Sequence, residues 1–122
     1  MNGGEALVAV LLEHGVDTSF CVPGESYLTI LEALRQSRDR IRLVLNRHES
    51  GSTLAAEAYA KATGKIGWGV LHDLVGVQHA LMSFYNAWAD RQPLLVLGGG
   101  GPGRPWADGS DVVLGGSGSD EI

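Results

Sequence analysis

Residues 41–64 read IRLVLNRHESGSTLAAEAYAKATG, and this stretch is the basis of the fold prediction. Its first five residues are mostly aliphatic and predict a short strand. A polar turn follows, and a helix is predicted from about His48 to Thr63, with Gly64 just past its end. Alanine and serine dominate this helix, and such small side chains let a helix pack closely on a sheet or on another helix. The stretch therefore predicts a strand, a polar turn and a helix that lies close to its neighbours.

The same alternation extends in both directions along the chain. Short apolar segments predict three more strands, at residues 18–22, 67–71 and 93–97. The last segment is almost purely apolar, as expected of a central strand that is covered on both faces. Strands separated by helices of these lengths imply βαβ crossovers. We therefore predict an α/β fold with a parallel sheet and helices on both faces.

Three further helices are predicted from apolar residues that recur every three or four positions. They span residues 4–14, a segment that Ser26 caps, and residues 75–88. The side chains predicted to face the core are Leu7, Val8, Leu11 and Leu12 in the first helix, Leu28, Leu31 and Leu34 in the second, and Val77, Leu81, Phe84 and Trp88 in the last.

The composition limits the classes of function. Apolar residues make up 44% of the 122 residues, which is enough for one domain with a core. The net charge of −5 argues against nucleic-acid binding, which favours a basic face. The single cysteine, Cys21, excludes an intramolecular disulfide. No secretory signal or membrane-spanning segment is recognisable, so we expect a cytoplasmic protein without membrane contacts.

Ligands of open parallel sheets bind beyond the carboxyl ends of the strands. Three loops are predicted there, at residues 23–25, 46–49 and 72–76. Glu49 is the most notable residue because it follows a strand and opens a helix. The helix dipole favours a carboxylate at that position, so a capping charge and a catalytic group are both open interpretations.

Two other patterns are less specific. The histidines show no HExxH spacing, and no metal site is predicted. His72 and His79 fall near the presumed ligand edge, whereas His14 is expected at the surface of a helix end. The glycine-rich run at 98–103 lacks the Lys-Ser/Thr of a phosphate-binding loop, so we interpret residues 99–122 as an irregular tail.

Several segments, in this order and spacing, resemble one enzyme family. They are VPGE at 22–25, RHE at 47–49, AAEAYAKATG at 55–64 and AWADRQPLLVL at 87–97. Together they resemble the N-terminal pyrimidine-binding domain of thiamine-diphosphate enzymes of the acetolactate synthase, pyruvate oxidase and 2-keto acid decarboxylase group. The resemblance covers residues 3 to about 98, which sets the predicted domain at residues 1–98.

The resemblance implies a role for Glu49. In this family the glutamate after Arg-His hydrogen-bonds N1′ of the aminopyrimidine and so promotes loss of the thiazolium C2 proton. A 2-keto acid is then decarboxylated or ligated. Pro23, Gly24 and Glu25 match the family's loop that approaches the active site, although many relatives have a small residue in place of Glu25.

One loop departs from the family pattern. Many relatives carry Gly-Pro-Gly-x-x-Asn after the third strand, where residues 74–79 here read LVGVQH. Gly76 matches, and His79 stands where the asparagine would be. Gln78 and His79 are candidate contacts to cofactor or substrate, and polar residues at the start of a helix are an equally good interpretation.

The family's second domain, which binds Mg²⁺ and the diphosphate through Gly-Asp-Gly, is not recognisable. Residues 107–109 read Ala-Asp-Gly and do not match that motif. We therefore expect a C-terminally incomplete domain, inactive by itself, that works as a homodimer or with a diphosphate-binding domain or subunit. FAD occurs in some relatives and has no support here. The open alternatives are the α subunit of a two-chain 2-keto acid decarboxylase and a non-catalytic α/β binding module.

Overall fold

A computed structural model of the chain describes residues 1–100 and, for its backbone pairing alone, a strand at 112–116. That strand lies within residues 99–122, the segment interpreted from the sequence as an irregular tail. The rest of the glycine-rich tail, including Ala-Asp-Gly at 107–109, lies outside the described residues.

Helices and strands alternate along the chain. The helices are α1 (Gly3–Glu13), α2 (Leu28–Gln36), α3 (Glu49–Thr63) and α4 (Asp73–Ala89), and a 3-10 turn at Glu25–Tyr27 precedes α2. The strands are β1 (Thr18–Cys21), β2 (Arg42–Leu45), β3 (Gly67–His72), β4 (Leu94–Gly99) and β5 (Val112–Gly116). Within the described residues, no helix is long and apolar enough to cross a membrane.

The five strands form one sheet in the order β2-β1-β3-β4-β5. The first four are parallel, which confirms the predicted α/β fold. The fifth strand pairs with β4 in the antiparallel direction, so the sheet is not purely parallel.

Helices cover both faces of the sheet, and each face has its own core. Alternate residues along a strand point to opposite faces, so Val70 and Leu71 of β3 belong to different clusters. The α1 and α2 side is built around Val8, Leu11, Val16, Tyr27, Ile30, Leu34, Trp68 and Val70. The α3 and α4 side is built around Phe20, Ala56, Leu71, Ala80, Ala87, Leu94 and Val96.

The predicted inner face of α4 is confirmed for Val77 and Phe84, which pack against the core, and is wrong for the other two residues. Leu81 and Trp88 are 55% and 61% exposed, and Phe84 is only half-buried. The buried positions of α4 carry small residues, namely Gly76, Ala80, Ser83 and Ala87. The physical reason is that α4 packs directly on α3 as well as on the sheet, and large side chains would hold the helices apart.

The predicted cap of the second helix is also wrong. Ser26 lies in the 3-10 turn, α2 begins later, and no side chain caps its first residues. Leu28 is exposed, and Ile30, Ala33 and Leu34 form the buried face instead. The Ser26 hydroxyl instead forms a hydrogen bond with His72.

Asp17 ties the amino end of β1 to the α3 side of the sheet. Its carboxylate accepts hydrogen bonds from the Lys65 ammonium, the Tyr59 hydroxyl and the Thr18 hydroxyl. Lys65 and then Tyr59 are the main causes that lower the pKa of Asp17 from 3.8 to about 2. These contacts favour the charged carboxylate in the folded state.

We predict that Asp17→Asn lowers the free energy of unfolding at neutral pH. Because the folded pKa lies below the unfolded one, the contribution of the charge is complete above about pH 4 and is lost as the pH falls toward 2. Urea unfolding of the wild type and the variant between pH 2 and pH 7 measures this difference. The exposed Asp39 provides the matched control, and an equal, pH-independent loss in Asp17→Asn and Asp39→Asn would contradict the prediction.

Candidate functional site

The candidate site lies at the carboxyl edge of the sheet, where the strand order changes direction. Strand β1 lies between β2 on one side and β3 on the other, so the crossovers from β1 to β2 and from β2 to β3 run in opposite directions across the sheet. In open α/β sheets the crevice at such a switch point is the usual ligand site. Because β1, β2 and β3 are parallel, the three predicted loops after them all reach this edge.

Glu49 is the first residue of α3, and its side chain is 18% exposed. The helix start favours its negative charge. Its Oε2 lies 3.1 Å from Nδ1 of His79 on α4, and because a carboxylate can only accept, the ring nitrogen donates. Among the described residues His79 is the one hydrogen-bond donor to this carboxylate, so Oε1 has no hydrogen-bond partner there.

Gly76 lets α4 pass directly beside this carboxylate. A Cβ at position 76 would lie 3.1 Å from Cγ of Glu49 and 3.5 Å from its Oε1. The start of α3 is also tied to α4, because the Ser83 hydroxyl donates to the carbonyl of Ser50 at 3.0 Å. Thr53 adds a bond to the carbonyl of Glu49 at 2.9 Å. Glu49 is therefore held between two helices whose spacing is fixed.

His48 was not a predicted site residue, yet it completes this arrangement. It precedes α3, and its ring lies against that of His79 with 4.2 Å between centroids and 56° between planes. Both rings are exposed. The available signal was its position next to Glu49. Sequence spacing does not reveal that His79 approaches this cluster, because position 79 lies 30 residues after Glu49.

A second group of contacts joins the loop after β1 to the end of β3. The Ser26 hydroxyl and Nδ1 of His72 form a hydrogen bond of 2.8 Å. Gly24 packs so closely that an added Cβ would lie 2.8 Å from Cβ and Cγ of His72. Asp73, next along the chain, has a φ of +54°, a left-handed conformation that is uncommon for aspartate and turns the chain from β3 into α4.

Tyr27 links this loop to the Glu49 side. Its hydroxyl donates to the carbonyl of Val22, and the ring is buried. Burial is the main cause that raises the pKa of Tyr27, and the charges of Cys21 and Glu49 add to it. Burial also raises the pKa of the Cys21 thiol to about 11, so this cysteine stays protonated and is not a nucleophile at neutral pH.

The structure brings some of the predicted site residues together and leaves others apart. Glu49, Gly76 and His79 form one contact group. Gly24 belongs to the neighbouring group around His72. The remaining predicted residues, Pro23, Glu25 and Gln78, are exposed on loops or helix surface. Their roles in cofactor binding, like that of Glu49, stay predictions.

Comparison with known proteins agrees with the fold. Residues 1–109 match the family described as thiamine pyrophosphate enzyme, N-terminal TPP binding domain. An acetolactate synthase large subunit of Parasynechococcus marenigrum is 39% identical over 92% of the chain and 18% of its own length. Pyruvate oxidase of Lactiplantibacillus plantarum is 41% identical over 77% of the chain and 16% of its own length.

A solved structure has the same fold over most of this chain. It is described as a thiamin diphosphate-dependent enzyme isolated from Mycobacterium smegmatis, and it superposes with a TM-score of 0.70 at 26% identity. The match covers 82% of this chain and 19% of the other. The chain therefore spans less than a fifth of the length of these relatives.

We predict that Gly24→Ala destabilises the site by about 1–3 kcal/mol, because the new methyl group would overlap His72. The same substitution in a His72→Gly background should cost less, since the overlapping atoms are gone. Urea unfolding of the four proteins gives the coupling energy. Equal costs in the two backgrounds would show that the contact does not constrain position 24.

Proposed function

Because the chain belongs to the thiamine pyrophosphate enzymes and carries their N-terminal TPP binding domain, we propose that Glu49 binds the aminopyrimidine of the cofactor. The observation that carries this proposal is the Glu49 carboxylate itself. One oxygen accepts a hydrogen bond from His79, and the other has no hydrogen-bond partner among the described residues, at the start of the helix that follows β2.

The residues around Glu49 suit an aminopyrimidine. A carboxylate that is mostly shielded from water can share a proton with a ring nitrogen. Gly76 presents no side chain beside the carboxylate, so a flat ring meets no Cβ from α4 at this point. When bound, thiamine pyrophosphate supplies an electron sink for the bond that breaks in the substrate.

Glu49, His79 and the start of α3 have distinct roles in this proposal. Glu49 holds a proton between Oε1 and the ring nitrogen and so sets the ring's protonation. His79 donates to Oε2 and keeps the carboxylate from rotating. The start of α3 stabilises the negative charge when the proton moves to the ring.

We further propose that the whole enzyme acts on a 2-keto acid, by decarboxylation or carboligation. The names of the similar proteins support this class, since acetolactate synthases and a pyruvate oxidase are among them. The relatives are five to six times longer than the matched segment. We therefore expect Mg²⁺ and the diphosphate to be held by another domain or subunit, and the 122 residues to be inactive by themselves. A cytoplasmic location fits the single, buried and protonated cysteine.

The aminopyrimidine contact can be tested without the rest of the cofactor. The probe is 4-amino-5-hydroxymethyl-2-methylpyrimidine, titrated into the ¹⁵N-labelled full chain. With about ten non-hydrogen atoms at roughly 0.4 kcal/mol each, its dissociation constant should be around 1 mM. The amide signals of Gly51 and Gly76 should shift, because Gly51 lies two residues after Glu49 in the chain and Gly76 lies beside its side chain.

We predict that Glu49→Ala weakens this binding about tenfold or more, since a hydrogen bond to a charged group contributes roughly 1.5–3 kcal/mol. Glu13→Ala, at the exposed end of α1, is the control and should bind like the wild type. Equal binding by wild type and Glu49→Ala would contradict the role of Glu49 and favour a non-catalytic α/β module.

The outer face of α4 supports the need for a partner. Six large apolar residues on this helix are more than half exposed, and they follow one side of it from its start beside Glu49 to its end. They are Leu74, Val75, Leu81, Met82, Tyr85 and Trp88. An exposed apolar patch of this kind is typical of a protein–protein interface. We propose that it packs against a second copy of the chain.

The assembly can be tested with two matched substitutions. Leu81→Asp should convert a dimer of the full chain to a monomer, because a buried carboxylate in an apolar interface has no partner. Val10→Asp, on α1 and 51% exposed, should leave the mass unchanged. Sedimentation equilibrium measures both. A monomeric wild type at 100 µM, or equal effects of the two substitutions, would rule out this face as the dimer contact.

A further inference from the structure

His48, Glu49 and His79 form a cluster where the start of α3 meets α4, and we call it the His–Glu cluster. Each residue offers one potential ligand atom, and the three atoms lie within 4.8 Å of one another. His48 and His79 are exposed and Glu49 is partly exposed, so an ion can reach the cluster from solvent. No other group of three such residues is found in the part of the chain that the structure describes.

We infer that the His–Glu cluster binds one divalent transition-metal ion, with Zn²⁺ as the ion to test. Two imidazole nitrogens and one carboxylate oxygen would be the protein ligands, and water would complete the coordination. This set matches zinc sites that have three protein ligands and one open position. Hard cations such as Mg²⁺ prefer oxygen ligands and are disfavoured by two imidazoles.

The distance between the Glu49 and His79 ligand atoms is close to the one that a zinc ion requires. Zinc bonds of about 2.0–2.1 Å in a tetrahedron place two ligand atoms about 3.3 Å apart. Oε2 of Glu49 and Nδ1 of His79 are already 3.1 Å apart. A Zn²⁺ ion would replace the proton that His79 now donates, and that proton would leave to solvent.

His48 can become the third ligand through a side-chain rotation, because its ligand atom lies within 4.8 Å of the other two and its ring is exposed. Its polar contact is a long one of 3.5 Å between Nδ1 and the Ser50 hydroxyl. It already lies against the ring of His79. The backbones of α3 and α4 are held together by the bond from Ser83 to Ser50, so the ligands stand on elements of fixed spacing.

The metal site would share Glu49 with the proposed function. A carboxylate that ligates a metal ion cannot also hold the ring nitrogen of an aminopyrimidine, so the two ligands should compete. This consequence rests on the proposed function, whereas the metal site does not. Bound Zn²⁺ would thus act as an inhibitor of cofactor binding in this domain.

Isothermal titration of ZnCl₂ into the chelator-treated full chain tests the site. We expect one ion per chain and a sub-millimolar dissociation constant. His79→Asn should weaken binding at least about tenfold, while its amide can still donate to Glu49 and so preserve the local structure. His48→Asn should have a similar effect. Circular dichroism and urea unfolding check that each variant folds like the wild type.

His14→Asn provides the matched control, because His14 is an exposed histidine that directly follows α1 and lies outside the cluster. It should bind Zn²⁺ like the wild type. Three results would overturn the metal site: no stoichiometric binding, equal affinity in the wild type and His79→Asn, or loss of binding in His14→Asn. Mg²⁺ binding as tight as that of Zn²⁺ would overturn the assignment to transition metals.

A competition experiment separates this inference from the proposed function. Adding the aminopyrimidine probe should lower the apparent Zn²⁺ affinity in proportion to its own occupancy. If Zn²⁺ binds and depends on Glu49 and His79, but the probe neither binds nor competes, the role of Glu49 toward the cofactor fails and the metal site stands. If the probe binds through Glu49 and Zn²⁺ does not bind, the opposite conclusion holds.

Discussion

The close contact between α3 and α4 is the constraint on which the site depends. The buried positions of both helices carry mainly small residues, among them Ala56 and Ala60 on α3 and Ala80 and Ser83 on α4, and Ser83 bonds directly to Ser50 of α3. Because nothing large separates the helices, the first residue of α3 comes within hydrogen-bond distance of α4. The same packing leaves no room for the large apolar residues of α4 on its inner side, so they face outward. One packing arrangement thus accounts for both the held carboxylate and the exposed apolar face.

The parallel order of the strands supplies the second requirement. It brings the segments after β1, β2 and β3 to one edge, although they are far apart in the sequence. The edge contains two contact groups of different character. The group around His72 is tightly packed and leaves no space for a Cβ at Gly24. The group around Glu49 has an open oxygen and exposed imidazoles, and so it is the one that can receive a ligand.

The sequence was sufficient for the fold and for the location of Glu49, and insufficient for the contacts around it. Apolar periodicity gives the elements because burial of strands and helix faces is local in its pattern. It wrongly placed Leu81 and Trp88 on the inner face of α4, since they recur with the same period as core residues. Ser26 has the residue type of a helix cap, yet its partner is His72, 46 residues away. The approach of His79 to Glu49 likewise depends on tertiary packing, which no spacing within one helix records.

The burial of Cys21 makes selective thiol labelling of the chain possible. It is the chain's single cysteine, it is fully buried, and its thiol is protonated at neutral pH. The native fold therefore offers no competing thiol to a maleimide or methanethiosulfonate reagent. A cysteine introduced at an exposed position outside the apolar face of α4, such as Val10→Cys on α1, would be labelled selectively without any background substitution. Spin labels or fluorophores placed along that helix could then report its distance to a neighbouring subunit in solution.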